Sequence, residues 1–128
     1  VCHGNICRSP MAEFIFKDMV SKQGLSDRFY IASAATSTEE IWNGIGNPVY
    51  PPAREELAKH GIDCKGKRAV QLTKADYDKY DYLIAMATLD AGLDDAEMFE
   101  KLDASEVVLS NCTINKINNL IKSSSICR

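Results

Sequence analysis

A thiol and a guanidinium stand at the two ends of one short stretch, Cys2-His3-Gly4-Asn5-Ile6-Cys7-Arg8-Ser9-Pro10. A cysteine attacks as its thiolate, and cationic neighbours and a helix N-terminus favour that form. Arginine suits a phosphoryl group because its planar fork donates two parallel hydrogen bonds and keeps its charge. A tight turn between the two can aim the backbone N–H groups of His3, Gly4, Asn5, Ile6, Cys7 and Arg8 at one point, a concavity for a tetrahedral dianion. Ser9 is placed to donate its hydroxyl to the Cys2 sulfur. Gly4 removes a side chain where the chain bends, and Asn5 tolerates a left-handed backbone while tying the turn together.

A helix has to follow for this geometry to hold. Pro10 suits a first helical turn, and Met11, Phe14, Ile15, Met19 and Val20 recur at helical spacing up to about Lys22, with Gly24 as the stop. The partial positive charge at the N-terminus of that helix falls on the same point as the amides.

Downstream, Phe29-Tyr30-Ile31-Ala32-Ser33-Ala34-Ala35 is short, apolar and aromatic-rich, and it reads as a buried strand. A long loop from Thr36 to Pro52 follows, of a length that is often functional. It holds Ile41, Tyr50 and the sole tryptophan, Trp42. Trp42 either closes the core or forms an aromatic wall that stacks a flat substrate ring. Pro51 to His60 predicts a second helix with Ala53, Leu57 and Ala58 inward and Gly61 as its stop. Thr73 predicts an N-cap for a short helix through Tyr80. Asp81 to Met86 predicts another buried strand, and the alternation of strands and helices predicts an α/β fold with a parallel sheet. His60, near a helix end, reads as a cap or surface group.

The string C-x-G-N-x-C-R-S-P-x-A-E resembles the active-site signature of the low-molecular-weight protein tyrosine phosphatases. The similarity continues through S-A-A-T, N-P-x-x-P-P-A at Asn47 to Ala53, and the H-G-I turn, covering residues 1 to about 86. It implies a three-layer α/β fold with helices on both faces of a parallel sheet. It also implies hydrolysis of phosphotyrosine, on a protein or a small aryl phosphate, through a cysteinyl-phosphate on Cys2. Arg8 and Ser9 would assist, and the mechanism requires no metal or cofactor. The resemblance moves Ile41, Trp42 and Tyr50 toward a substrate pocket. Cys7 is either a packed loop residue or a redox partner that forms a reversible disulfide with Cys2.

The chain departs from the family's pattern in two places. Only Val1 precedes the nucleophile where the family has a strand of several apolar residues. After Met86 stands Ala87 rather than Asp, and the Asp-Pro that supplies the family's general acid occurs nowhere in the 128 residues. Asp90, Asp94, Asp95 and Asp103 are replacement candidates within a tail, 88–128, of its own pattern: a helix over about Asp90 to Leu102, a strand over Glu106 to Leu109 and a helix over Thr113 to Ser123. The expectation is one domain, 1–128, whose leaving-group protonation is impaired. Other readings are a catalytically weak phosphotyrosine-binding module, a phosphoarginine phosphatase or an arsenate reductase of the same superfamily. Ile6 and Ser9-Pro10 look like the tyrosine branch, and Cys64, Cys112 and Cys127 form no obvious reductase relay.

A net charge of −3 leaves no broad basic stripe for nucleic acid. No apolar run approaches the roughly 20 residues that cross a bilayer. Five cysteines without CxxC spacing fit neither a zinc site nor a disulfide framework and read as thiols, so the expectation is a cytoplasmic protein without a membrane partner.

Overall fold

The computed structural model describes residues 1–84. In order these form α1 (Arg8–Lys22), a 3₁₀ turn (Ser26–Arg28), β1 (Ile41–Trp42), β2 (Ile45–Gly46), α2 (Pro51–Lys59) and α3 (Lys74–Lys79). The expected acids Asp90, Asp94, Asp95 and Asp103, the tail elements and the end of the Asp81 to Met86 segment lie outside the described residues.

The core lies between α1 and α2. Met11 and Ile15 from α1 pack with Ala53 and Leu57 from α2, and Val49 and Cys64 close the cluster. Cys7, Phe14, Met19 and Ile62 pack around it. Burying a side chain such as Leu57 contributes about 1.5–3 kcal/mol. One helical position departs from expectation, and another was not foreseen. Ala58 is exposed, because α2 turns only a narrow stripe, Ala53 and Leu57, onto α1. Glu13 is buried although it is a carboxylate on the helix that carries the apolar face.

Helix ends follow their local chemistry. Gly24 takes a left-handed φ of 69° just beyond α1, and Gly61 a φ of 73° just beyond α2. Two prolines open α2, where no amide donor is required. At α3 the Asp76 carboxylate accepts the Thr73 backbone N–H at 2.8 Å and its hydroxyl at 3.0 Å, closing the capping box. His60 is the C-cap residue of α2, with Nε2 3.5 Å from Glu56.

The parallel β pairing runs through single residues. Cys2 bridges Ala35, and Ala35 bridges Gln71, both in parallel. Around them the Cys2 N–H donates to the Ala34 carbonyl, the Thr36 N–H to Cys2, the Ala35 N–H to Val70 and the Leu72 N–H to Ala35. On the other side of Cys2, the Val1 amino group donates to the Ile84 carbonyl at 2.6 Å. Four segments thus lie side by side, with Cys2 near the middle.

The strand expected over Phe29 to Ala35 is corrected. Only Ala35 carries a bridge, and Phe29 and Tyr30 are exposed. A strand is defined by its neighbour's hydrogen bonds, and among the described residues no bridge to another segment involves residues 29–33. Instead the Phe29 ring meets Phe16 edge-on at 5.6 Å, and Tyr30 lies beside Tyr80 with Lys79 over both rings.

Within the long loop the chain forms a hairpin that composition alone left as irregular. Trp42 pairs with Ile45 and Ile41 with Gly46 in antiparallel register. Asn43 and Gly44 between them take φ of 49° and 75°. Two successive left-handed residues are what a two-residue I′ turn requires, and Asn-Gly is the pair that tolerates them best. Gly46 admits no side chain, since a Cβ there would lie 1.8 Å from the Ala69 carbonyl oxygen.

Candidate active site

The loop 3–7 leaves the Cys2 bridge and ends at the N-terminus of α1, so the first turn of that helix faces the same concavity. Cys2 is a free, buried thiol. Its Sγ lies 2.9 Å from Ser9 Oγ. The bend between them is held by Asn5, at φ 56° and 1% exposed. Its Nδ2 donates to Ser9 Oγ at 2.9 Å and to Ser33 Oγ at 2.8 Å, and its Oδ1 accepts the Val70 N–H at 3.0 Å. One side chain therefore joins the loop, α1 and two neighbouring segments.

The rest of the loop is tied by backbone. The Ile6 carbonyl accepts the Tyr50 N–H at 2.7 Å, and the His3 carbonyl accepts the Ser37 N–H at 3.0 Å. Gly4 sits under the Glu40 side chain, where an added Cβ would come within 3.0 Å of its Cγ. Glu40 is held in turn by Asn47 Nδ2 at 2.8 Å. His3 is exposed, with Nε2 2.8 Å from Glu39 Oε2. Among the described residues, the amides of His3, Gly4, Asn5 and Ile6 donate to no backbone carbonyl.

Arg8 opens α1, three residues past Asn5. Ile41 and Trp42 ride on β1, and Tyr50 is the N-cap residue of α2, anchored through its amide to the loop. Trp42 is 71% exposed, which answers the question the sequence left open: it does not close the core. Cys7 is disulfide-bonded rather than a free thiol, which corrects the reading of all five cysteines as thiols. Because Cys2 is free, that bond is not the Cys2–Cys7 pair. Among the described residues there is no cluster of metal-ligating side chains, and no helix is long and apolar enough to cross a membrane.

Beneath the loop lies a polar group that sequence reasoning missed. Glu13 accepts from Ser33 Oγ and forms ion pairs with Lys17 at 2.6 Å and Lys67 at 3.0 Å. Lys67 Nζ also donates to the Ser33 carbonyl at 3.1 Å. Burial by itself raises the Glu13 pKa, but the hydrogen bonds from Lys17 and Ser33 and the nearby Lys67 charge together hold the carboxyl below its ordinary range. Glu13 closes the matched signature string, yet its i,i+4 relation to Lys17 is the mark of an exposed helix pair, and this concealed its burial.

A buried thiol under a serine hydroxyl, in a loop closed by a left-handed asparagine at a helix N-terminus, describes a phosphatase-type oxyanion loop. The family model described as low molecular weight phosphotyrosine protein phosphatase matches residues 1–109, beyond the stretch in which the sequence resemblance was visible. The chain belongs to the low molecular weight phosphotyrosine protein phosphatase family. It is 45% identical over 86 residues to the low molecular weight protein-tyrosine-phosphatase YfkJ of Bacillus subtilis, which covers 67% of this chain and 53% of that protein. The low molecular weight phosphotyrosine protein phosphatase of Mus musculus is 44% identical over 86 residues, covering 67% and 51%. The chain thus spans about half the length of the curated relatives it matches. Among solved structures, YfkJ superposes with a TM-score of 0.71 at 32% identity, covering 96% of this chain and 85% of that one. The Streptococcus pyogenes enzyme SP-PTP gives 0.67 at 28%, covering 96% and 83%. The α/β fold expected from the sequence is the fold of these structures.

Proposed function

We propose that this chain carries the nucleophile and phosphate-binding half of a protein tyrosine phosphatase, acting on phosphotyrosine in a protein or on a small aryl phosphate. The Cys2 sulfur attacks phosphorus in line, the bond from phosphorus to the phenolic oxygen breaks, and a cysteinyl-phosphate forms. Water then attacks phosphorus, the S–P bond breaks, and inorganic phosphate leaves. The amides of His3 to Arg8 and the Arg8 guanidinium hold the three equatorial oxygens. Ser9 donates to sulfur when it is a thiolate and again when it leaves phosphorus. Ile41, Trp42 and Tyr50 flank the ring of the substrate, and Cys7 is the loop thiol available for redox exchange with Cys2 once its own disulfide is reduced.

The observation that carries this reading is the contact of 2.9 Å between Cys2 Sγ and Ser9 Oγ inside the bend that Asn5 fastens. The phenol leaving group still needs a proton, and in this chain Ala87 stands directly after Met86 and no Asp-Pro dipeptide occurs. General acid assistance is worth about 10²–10⁴-fold, so turnover is slow for poor leaving groups. The test is steady-state hydrolysis of p-nitrophenyl phosphate and of phosphotyrosine by the purified chain, with Cys2→Ser as control. The expected result is Cys2-dependent release of nitrophenol and a far slower reaction on phosphotyrosine, whose phenol leaves less readily. Binding of inorganic phosphate without any Cys2-dependent turnover overturns the enzyme reading in favour of a phosphotyrosine-binding module.

A further inference from the structure

A proton carrier stands at the rim of the cradle. His3 directly follows the nucleophile, and its amide is one of those that donate to no backbone carbonyl among the described residues. Its ring is exposed, with Nε2 2.8 Å from Glu39 Oε2. Glu39 belongs to a run laid along one side of the loop. The Ser37 N–H donates to the His3 carbonyl at 3.0 Å, the Glu39 N–H to Ser37 Oγ at 3.0 Å and the Ile41 N–H to the Thr38 carbonyl at 3.0 Å. Two residues beyond Glu39 this run becomes β1, which carries Ile41 and the exposed Trp42. The His3 ring is thereby fixed on the side of the cradle from which the proposed substrate wall rises. An ionised carboxylate only accepts, so the Nε2 that meets Glu39 carries a proton. Nδ1 has no partner among the described residues. The ring can therefore pass between an imidazolium and the neutral Nε2–H tautomer with its Glu39 contact intact. Histidine as a residue type titrates near neutral pH and a phenol at about 10, so proton transfer from imidazolium to a departing phenolate is downhill.

We infer that His3 is the leaving-group proton donor of this site and that Glu39 is the positioning residue that holds its ring. The inference rests on the reading of Cys2 as a nucleophile toward aryl phosphates. As the S–P bond forms, the bond from phosphorus to the phenolic oxygen breaks and its electron pair stays on oxygen. The Nδ1 proton moves to that oxygen, leaving neutral His3 with Nε2–H still on Glu39. In the second step Nδ1 takes a proton from the water that attacks phosphorus, and the S–P electron pair returns to sulfur. The reaction on a poor leaving group, slow as it is, then runs through His3. The charged and titratable groups around the ring are Glu39, Glu40 over Gly4, the Cys2 thiol before it and Arg8 at the other end of the loop. Cys2 and the cradle act on every ester alike, so the comparison of two esters isolates the ring.

The test is kcat/KM for phenyl phosphate and for p-nitrophenyl phosphate from about pH 5 to about pH 9. It is run on the wild-type chain, His3→Gln, Glu39→Ala and Glu39→Gln. At about pH 6, His3→Gln is expected to slow phenyl phosphate about 10²-fold and the nitrophenyl ester, whose leaving group needs little protonation, about threefold or less. In the wild type the ratio of nitrophenyl to phenyl rates should rise with pH as the imidazolium is lost, whereas in His3→Gln it should be high and flat. Glu39→Ala frees the ring and should raise the ratio about threefold. Glu39→Gln, whose amide oxygen still accepts from Nε2, should restore the wild-type ratio. An unchanged ratio in His3→Gln overturns the inference, as does an equal loss on both esters, which a merely structural role would give. A wild-type ratio in Glu39→Ala overturns the dyad as well. If His3→Gln does not melt cooperatively, the wild-type ratio decides alone: a rise with pH supports the dyad and a flat ratio overturns it. No Cys2-dependent turnover on either ester sinks the proposed function and the dyad together, whereas turnover on both with an unmoved ratio sinks the dyad alone.

Discussion

Asn5 is the residue on which the candidate site turns, and its replacement separates two contributions. Asn5→Ala removes three hydrogen bonds, of 2.9, 2.8 and 3.0 Å, from a side chain that is 1% exposed. Ser9 and Ser33 each keep another partner, Cys2 and Glu13, so only the Val70 amide is left without its acceptor. At about 1 kcal/mol for each lost bond and somewhat more for the stranded amide, the polar loss is roughly 3 kcal/mol. Alanine at φ 56° adds about 1 kcal/mol that asparagine, tolerant of the left-handed region, largely avoids. The expected total is about 4 kcal/mol, a large share of the 5–15 kcal/mol typical of a domain. Asn5→Gly loses the same hydrogen bonds without the left-handed penalty and should recover about 1 kcal/mol relative to alanine. Urea unfolding at low temperature measures both, and binding of inorganic phosphate by calorimetry should disappear in both. A glycine variant no more stable than the alanine one would refute the backbone argument. An alanine variant within about 1 kcal/mol of wild type would refute the claim that Asn5 fastens the loop.

Gly46→Ala forces a Cβ into the Ala69 carbonyl and should cost at least about 2 kcal/mol by thermal melting. Gly44→Ala, with open space around it but a φ of 75°, should cost only about 1 kcal/mol. Glu13 has a folded-state pKa below its ordinary value of 4.5, so its stabilising contribution is complete above about pH 4.5 and is lost as pH falls through the lowered value. Urea midpoints between pH 3 and pH 6 should therefore fall less steeply with acid in Glu13→Gln than in wild type. Leu57→Ala, at the centre of the helix–helix core, should lower stability by about 2–5 kcal/mol in the same assay.

Most of what positions the site was legible because its signals are local. Pro51-Pro52 and Gly61 bracket α2, Thr73 and Asp76 mark the start of α3, and the left-handed role of Asn5 follows from residue type within the loop. The misreadings share a cause: the deciding partner is distant in sequence. Phe29 to Ile31 have the composition of a strand, yet a strand exists only where another backbone receives its hydrogen bonds, and composition does not report that. Ala58 differs from expectation, and the burial of Glu13 went unforeseen, because burial on a helix depends on where the second helix crosses it. The hairpin is a different case. Trp42-Asn43-Gly44-Ile45 carries the strongest short-range turn signal, and the surrounding loop composition masked it.

Among the described residues the parallel pairing beside Cys2 runs through single bridges, Cys2 to Ala35 and Ala35 to Gln71, so it cannot by itself fix the loop to the precision that in-line attack demands. Side chains supply the missing constraints. Asn5 ties the bend to Ser33 and to the Val70 backbone, Lys67 ties its segment to Ser33 and α1, and the Tyr50 amide ties α2 to Ile6. Buried polar links of this kind are worth more as a satisfied set than singly, and a half-satisfied set is costly. It follows that Leu57→Ala and Asn5→Ala, though comparable in stability, should differ in consequence. The first loosens a core that the loop only borders and should spare Cys2 reactivity in the molecules that remain folded. The second removes the common node of the cross-links and should abolish anion binding even where the helices persist.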